Sequence, residues 1–416
     1  MTIQPKLRRR AAMLAGVATI LVPAAPALGQ AQQPRRPAQP ALGTTPRRPR
    51  EPVPTGSPAQ TPLGTLDTAA KFAIAVDFTT GATLLDKGGD SQMPPSSMTK
   101  LMTAYLVYAA LKQGRLKLTD ELPVSDRAWK MGGSKMFVQV GTSVKVEDLI
   151  RGMIVQSGND ACIVLAEALA GSEENFAEQM NTKGREIGLT SSHFRNSTGW
   201  PDPSHRMSPR DLAHLARRII LDFPEFYHYD SEKSFKYNGI EQDNRNPLVQ
   251  KGTADGLKTG HTDEGGYGLV ASSIRNGRRV ILVVNGLNSM RQRAEEAERL
   301  MEWCYREFEN VTLFKPDDVI EKAQVWLGEV PTVPLVAGRE MVLTMPRSWR
   351  RNAQISVRYD APIKAPITKG DRVGTLIVNG QGVPAAEVPL LAGADVPRLG
   401  LPGRAMSVIT RMLTKG

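Results

Sequence analysis

Three short groups of residues carry the types that a serine acyl transfer needs. Ser97-Met98-Thr99-Lys100 sets a hydroxyl and an amine three residues apart. In a helix that spacing puts both on one face, and a serine at the helix start lies near the positive end of the dipole. A lysine held beside a buried serine can shed its proton once desolvation lowers its pKa, and then act as a base. Ser157-Gly158-Asn159 presents a hydroxyl and an amide across one residue, and Lys258-Thr259-Gly260 joins a cation, a hydroxyl and a glycine that lets a ligand come close to the backbone. Each group alone reads as a cap or a turn. Together, 60 and 101 residues apart, they supply the residue types that two successive acyl transfers require: an activated nucleophile, an oxyanion site and a carboxylate clamp.

The flanking patterns say which elements must position these groups. Phe72–Asp77 reads as a strand, with 81–85 as its hairpin mate. Met98 to Leu111 has apolar residues at helical spacing and Gly114 just beyond its end, so Ser97 and Lys100 open a helix. Residues 149–154 and 161–169 are further helices, which puts Ser157 and Asn159 on the loop between them. Ser172 and Ser208-Pro209 cap two more, the first running to about Ile187. Residues 267–273 and 279–285 form a hairpin around Asn276-Gly277, and a long helix follows over 291–308. The order β, α, β, α predicts an α+β fold: an antiparallel sheet flanked by helices, with a helical subdomain inserted between its strands. Past Phe314, short strands separated by turns such as Lys369-Gly370 and Asn379-Gly380 predict a small all-β domain over 315–394.

The net charge of +11 invites a nucleic-acid reading until it is divided. Residues 1–29, 30–64 and 396–416 carry +4 each, which leaves −1 on 65–395. A body that neutralises phosphates would hold its basic excess in a folded face, so nucleic acid is excluded as a partner. Residues 1–29 have the layout of a secretory signal peptide: a basic start ending in Arg8-Arg9-Arg10, a twelve-residue apolar run over 11–22, and small residues near Ala27-Leu28-Gly29. Residues 30–64 hold nine prolines and read as a Pro-rich linker. In 395–416, Ala405, Met406, Val408, Ile409, Met412 and Leu413 share a helical face between basic residues, the pattern of an amphipathic membrane-surface anchor. The five histidines show no His-Glu-x-x-His spacing, so metal chemistry has no support and no cofactor is implied. Cys162 and Cys304 read as two buried free thiols.

The three groups in this order resemble the serine acyl-transferases that include penicillin-binding proteins and class A β-lactamases. Longer local matches narrow the resemblance: 95–103 around Ser97, Gln156 to Cys162, Phe194-Arg195-Asn196-Ser197-Thr198-Gly199, and Gly256 to Thr262. Over 65–314, as the penicillin-binding peptidase domain, and onward to 416, the chain resembles the class C low-molecular-mass penicillin-binding proteins. Those are serine D-alanyl-D-alanine carboxypeptidases that trim peptidoglycan stem peptides in cell-wall organisation and are inhibited by penicillins. The resemblance implies that Ser97 attacks the carbonyl between the last two D-alanines and that Lys100 takes its proton. It implies that Ser157 relays a proton to the leaving amine and that Asn159 holds the substrate amide. Lys258 and Thr259, followed by Gly260, would bind the terminal carboxylate, and the N–H groups of Ser97 and His261 would form the oxyanion hole. Peptidoglycan stem peptide, β-lactams and the inner-membrane surface are the implied partners, and the location is periplasmic. The alternatives are a D,D-endopeptidase of the same superfamily, a β-lactamase, or a wall-binding scaffold. Ser-Gly-Asn in place of Ser-Asp-Asn argues against the β-lactamase, and the complete set of groups argues against the scaffold.

Overall fold

The computed structural model describes residues 57–349, 354–380 and 383–405. The expected signal peptide, most of the expected Pro-rich linker and half of the expected anchor lie outside them; of the last, 401–405 begin a helix.

A seven-stranded antiparallel sheet forms the centre, in the order Gly64–Leu66, Ala59–Thr61, Thr83–Lys87, Phe72–Asp77, Arg278–Leu287, Gly266–Arg275 and Gly256–Thr262. Alternation along its strands assigns each face. Ile74 and Val76 face a core shared with the helices Lys100–Lys112, Val146–Ile154, Asn159–Ala170, Glu173–Glu186 and Pro209–Asp222. Ala73 and Ala75 face the other way, against Ala297, Leu300 and Met301 of the helix Met290–Glu307. The capping serines behave as their positions require: Ser172 Oγ accepts from Asn175 N and Ser208 Oγ from Asp211 N, both at 3.1 Å. At the Asn276-Gly277 turn both residues have positive φ, 50° and 78°, the geometry that lets a two-residue turn follow the strand twist.

Three boundaries differ from the sequence expectation. The described part of the expected linker already holds strands: Ala59–Thr61 and Gly64–Leu66 make a hairpin and Gln60 pairs with Asp86. Thr61 drives that turn: its hydroxyl donates to the Gly64 carbonyl at 2.7 Å and accepts from Leu63 N at 3.0 Å. Ser97 does not lie on the α-helix itself but in a 3-10 turn, Ser96–Thr99, that runs into it. Such a turn has three residues per turn, so it aligns residues i and i+3 and keeps Ser97 over Lys100. The β-rich region starts at Phe308–Phe314 rather than at 315, since that strand leaves the helix end directly and pairs with Met341–Pro346.

The remaining strands of that region form a six-stranded sheet in the order Gln354–Arg358, Arg372–Gly380, Val383–Ala392, Thr332–Ala337, Val319–Trp326 and Ile363–Lys364. Its core includes Val333, Leu335, Leu376 and Leu390. Among the described residues no helix is long and apolar enough to cross a membrane.

Candidate active site

Lys100 is the centre of the site. It is 1% exposed, and its Nζ donates to Ser97 Oγ at 2.9 Å, Asn159 Oδ1 at 2.7 Å and the Thr198 carbonyl at 2.8 Å. Those three bonds use every N–H of an ammonium group. Burial lowers the Lys100 pKa from 10.5 to about 8, so a modest fraction is neutral near pH 7 and can take a proton from Ser97. Ser97 itself is only partly buried and so stays reachable from solvent.

Each partner of Lys100 is held in turn. Asn159 opens the helix Asn159–Ala170, and its Nδ2 donates to the Gly132 carbonyl at 2.8 Å, which fixes the amide with its oxygen toward Lys100. Asp160 is buried beside it and accepts from the N–H groups of Met136, Phe137 and Val138. It thereby ties down the segment that forms one wall of the site. Thr198 sits on a loop wound around Asn196, whose Oδ1 accepts from the N–H groups of Thr198, Gly199 and Trp200. Gly199 has φ +80°, and a Cβ there would lie 1.8 Å from the Ser96 carbonyl oxygen, so only glycine lets this loop reach the nucleophile turn. Glu173 accepts from Ser197 N and Oγ, at 3.0 and 2.7 Å, on the same loop.

His205 braces the nucleophile turn from behind. Its Nδ1 accepts from Arg195 N at 3.2 Å, so Nε2 carries the proton and donates to Thr99 Oγ1 at 2.9 Å. Burial drops its pKa to about 4 and keeps the ring neutral.

The third group lies on Gly256–Thr262, the edge strand of the sheet, where no further strand pairs with its outer side. At Gly260 a Cβ would stand 2.9 Å from the Pro95 carbonyl, so the glycine lets this edge pack directly against the Ser97 turn. Ser96 and Thr262 hydroxyls join the two at 2.9 Å. Lys258 and Thr259 are buried; burial, then the nearby cations Lys100 and Arg245, push the Lys258 pKa well down. His261 is exposed and stacks on Tyr267 with ring centres 3.9 Å apart. Ser157 is buried with φ +60°, a strained conformation for a serine. Lys100 has no N–H left for it, so the Ser97–Lys100–Asn159 set is directly bonded and Ser157 is not bonded to Lys100.

Several residues of the site escaped the sequence reading. Arg245 donates to Ser134 Oγ, and Arg293 is buried with an unpartnered Nε and its guanidinium over Tyr267. Burial lowers both pKa values, that of Arg293 to about 10. With Lys258 they make a cationic end suited to a carboxylate. Trp200 is 46% exposed beside Gly132 and Gly133, on the Asn159 side of the site. The Asn196-to-Gly199 run could have revealed the loop, because an Asn three residues before a Gly signals an Asx-type turn. Nothing local marks Arg245 or Arg293. Cys162 and Cys304 are free and buried, and burial pushes both thiols up to about 12. Among the described residues no group of three or more His, Cys, Asp or Glu side chains could hold a metal.

Comparison with known proteins gives the family. Residues 57–289 match the family described as D-alanyl-D-alanine carboxypeptidase, and 308–398 match the C-terminal domain of penicillin-binding protein 5. The chain is 38% identical to D-alanyl-D-alanine carboxypeptidase DacC of Escherichia coli over 86% of its own length and 91% of that protein. Its structure is similar to that of penicillin-binding protein 5 from Haemophilus influenzae, with a TM-score of 0.73, 36% identity, and coverage of 79% of this chain and 98% of the other. It is also similar to penicillin-binding protein D2 of Listeria monocytogenes in its ampicillin-bound form, with a TM-score of 0.53, 28% identity, and coverage of 57% and 98%. The chain belongs to the D-alanyl-D-alanine carboxypeptidase family and is a serine hydrolase of the penicillin-binding type.

Proposed function

We propose that this enzyme removes the terminal D-alanine from peptidoglycan pentapeptide stems through an acyl-enzyme on Ser97. The observation that carries the reading is the buried Lys100 amine 2.9 Å from Ser97 Oγ, with its pKa brought down to about 8. Neutral Lys100 takes the Ser97 proton as Oγ bonds to the carbonyl between the last two D-alanines. The oxyanion faces the N–H groups of Ser97 and His261. Once Ser97 Oγ is bonded to the carbonyl carbon it no longer accepts from Lys100, so the Lys100 ammonium can turn to Ser157. The C–N bond then breaks as Ser157 gives its hydroxyl proton to the departing amine and takes the one held on Lys100, which returns to its neutral form. Water attacks the ester, releases the shortened stem and restores Ser97. Asn159 retains a free N–H for the substrate amide. Lys258 and Thr259, followed by Gly260, receive the terminal carboxylate, with Arg245 and Arg293 adding positive potential behind them.

A β-lactam would follow the same attack, since its ring amide stands in for the scissile bond; the Listeria relative was solved with ampicillin bound. The basic and apolar pattern of 1–29 supports export to the periplasm, and the amphipathic basic pattern of 395–416 supports attachment to the inner-membrane surface.

The test is incubation with a labelled penicillin, read by intact mass, beside Ser97→Ala. A stable adduct on the wild type alone supports the reading. Turnover without an adduct indicates a β-lactamase, and no reaction indicates a scaffold. Products from a pentapeptide and from a cross-linked muropeptide then divide carboxypeptidase from endopeptidase. Truncation after Pro397 should leave activity on soluble peptide intact and move the protein out of the membrane fraction; unchanged fractionation would remove the anchor.

A further inference from the structure

The six-stranded sheet of the β-rich region does not close on itself. Its two end strands, Gln354–Arg358 and Ile363–Lys364, are joined by only four residues, 359–362. The ladder between Gln354–Arg358 and Arg372–Gly380 stops at Arg358 opposite Thr375. Arg372 and Gly374 still pair with Leu391 and Leu390 on their other side. The stretch Arg372–Gly374 therefore runs past the end of its neighbour with one edge uncovered, and a cleft of about 570 Å³ opens along it.

The walls of this cleft are cationic. Arg358, Lys364 and Arg372 line it against a single acid, Asp360. Arg358 is shared with the exposed Glu387 at 3.0 Å. Lys364 and Arg372 are exposed and make no ion pair or side-chain hydrogen bond among the described residues. Gly374 is half-buried at one end of the cleft, with the Arg358 carbonyl 3.2 Å and Leu335 Cδ1 and Tyr359 Cβ 3.4 Å from where a Cβ would stand. Natural proteins cover or twist away an exposed strand edge, because it is a template for another chain. Here the edge faces a cleft flanked by Lys364 and Arg372, which are unpaired among the described residues.

An extended peptide fits this arrangement: its main chain can pair with the Arg372–Gly374 edge, and its carboxylates can reach Lys364 and Arg372. We infer that the cleft binds an acidic stem peptide of the wall polymer, giving the enzyme a second grip on that polymer apart from Ser97. The identity of the polymer rests on the function proposed above. Two linked contacts raise the local concentration of further stems at Ser97 without any change in that site.

The experiment is co-sedimentation of the mature chain with purified sacculi after its serine has been blocked by penicillin, so that retention cannot come from the active site. The wild type should be retained, and Lys364→Glu/Arg372→Glu should lose retention about tenfold while taking up penicillin at the wild-type rate, which also shows that it folds. Sacculi whose carboxylates have been amidated should fail to retain the wild type. Equal retention of the double variant, or retention that survives amidation, overturns the inference. Absence of any penicillin adduct would instead count against the catalytic reading, and retention could still be measured on that protein.

Discussion

Between residues 57 and 307 the interior encloses Lys100, Lys258, Arg293, Asp160, Glu173, Asp211 and Asp230, together with His205. Between 308 and 405 the buried residues among those described are all apolar. The two regions are comparable in regularity but not in what their cores hold. Burying a charge destabilises a fold unless bonds and partners offset it. The catalytic body has two large apolar clusters to absorb that cost; at the site an amine sits dry beside a hydroxyl, and elsewhere buried Asp77 is offset by Arg278. The β-rich region has a single smaller cluster and keeps its cations on the surface, where water solvates them. Asp230 shows how far this goes: burial, then Asp255, raises its pKa to about 8, and it lies within electrostatic reach of Lys258.

If chemistry belongs to the first region alone, Ser97→Ala should cut penicillin acylation on the order of 10⁴-fold or more with little change in Tm. An adduct that persists on another residue would break the comparison. Lys100→Arg keeps the charge and loses the base, and should cost on the order of 10³-fold in acylation rate. In the wild type the rate should climb with pH through about 8 as Lys100 sheds its proton, and the arginine variant should lack that limb. A pH profile shared by both proteins would assign the base elsewhere.

In the second region, Leu335→Ala should destabilise the β-rich unit by about 2–5 kcal/mol and leave acylation unchanged, since Leu335 is fully buried in that separate core. A slower acylation would mean that the two cores are coupled.

The smallest effect concerns acid. His205 has a folded pKa of about 4 against 6.5 unfolded, so the unfolded chain binds more protons between those values. The contribution of His205 to stability should therefore fall as pH drops from 6.5 to 4, by up to roughly 3 kcal/mol, while Asp230, whose folded pKa is raised, contributes with the opposite sign over the same range. Calorimetry of the wild type beside His205→Asn should show the stability difference between the two catalytic bodies shrinking as pH falls, while the transition of the β-rich unit, which buries no such group among its described residues, is the same in both. A difference between wild type and His205→Asn that stays constant across this range would show that His205 is not a buried neutral ring.

Much of the site was legible because its residues cluster in short groups. Lys100 follows Ser97 by three positions, and either a 3-10 or an α turn brings them together, so the local error in helix start did no harm. Ser172, Ser208 and Asn276-Gly277 were legible for the same reason: a cap or a turn is decided by neighbours in sequence. Thr61 was passed over because the proline-rich composition around it outweighed one turn-forming hydroxyl. Arg245, Arg293 and His205 were not legible as site residues, since each acts through a partner far away in the chain.

By itself, then, the sequence determined which chemistry is available, because the reacting groups and their turns are local and few residue types can do the work. The tertiary structure decided that Lys100 is dry, that Asn159 and Thr198 hold it from elements 59 and 98 residues away, and that a glycine edge strand closes over the serine. Desolvation is the reason: a lysine pKa is set by everything packed around the amine, and that packing exists only once distant segments have met.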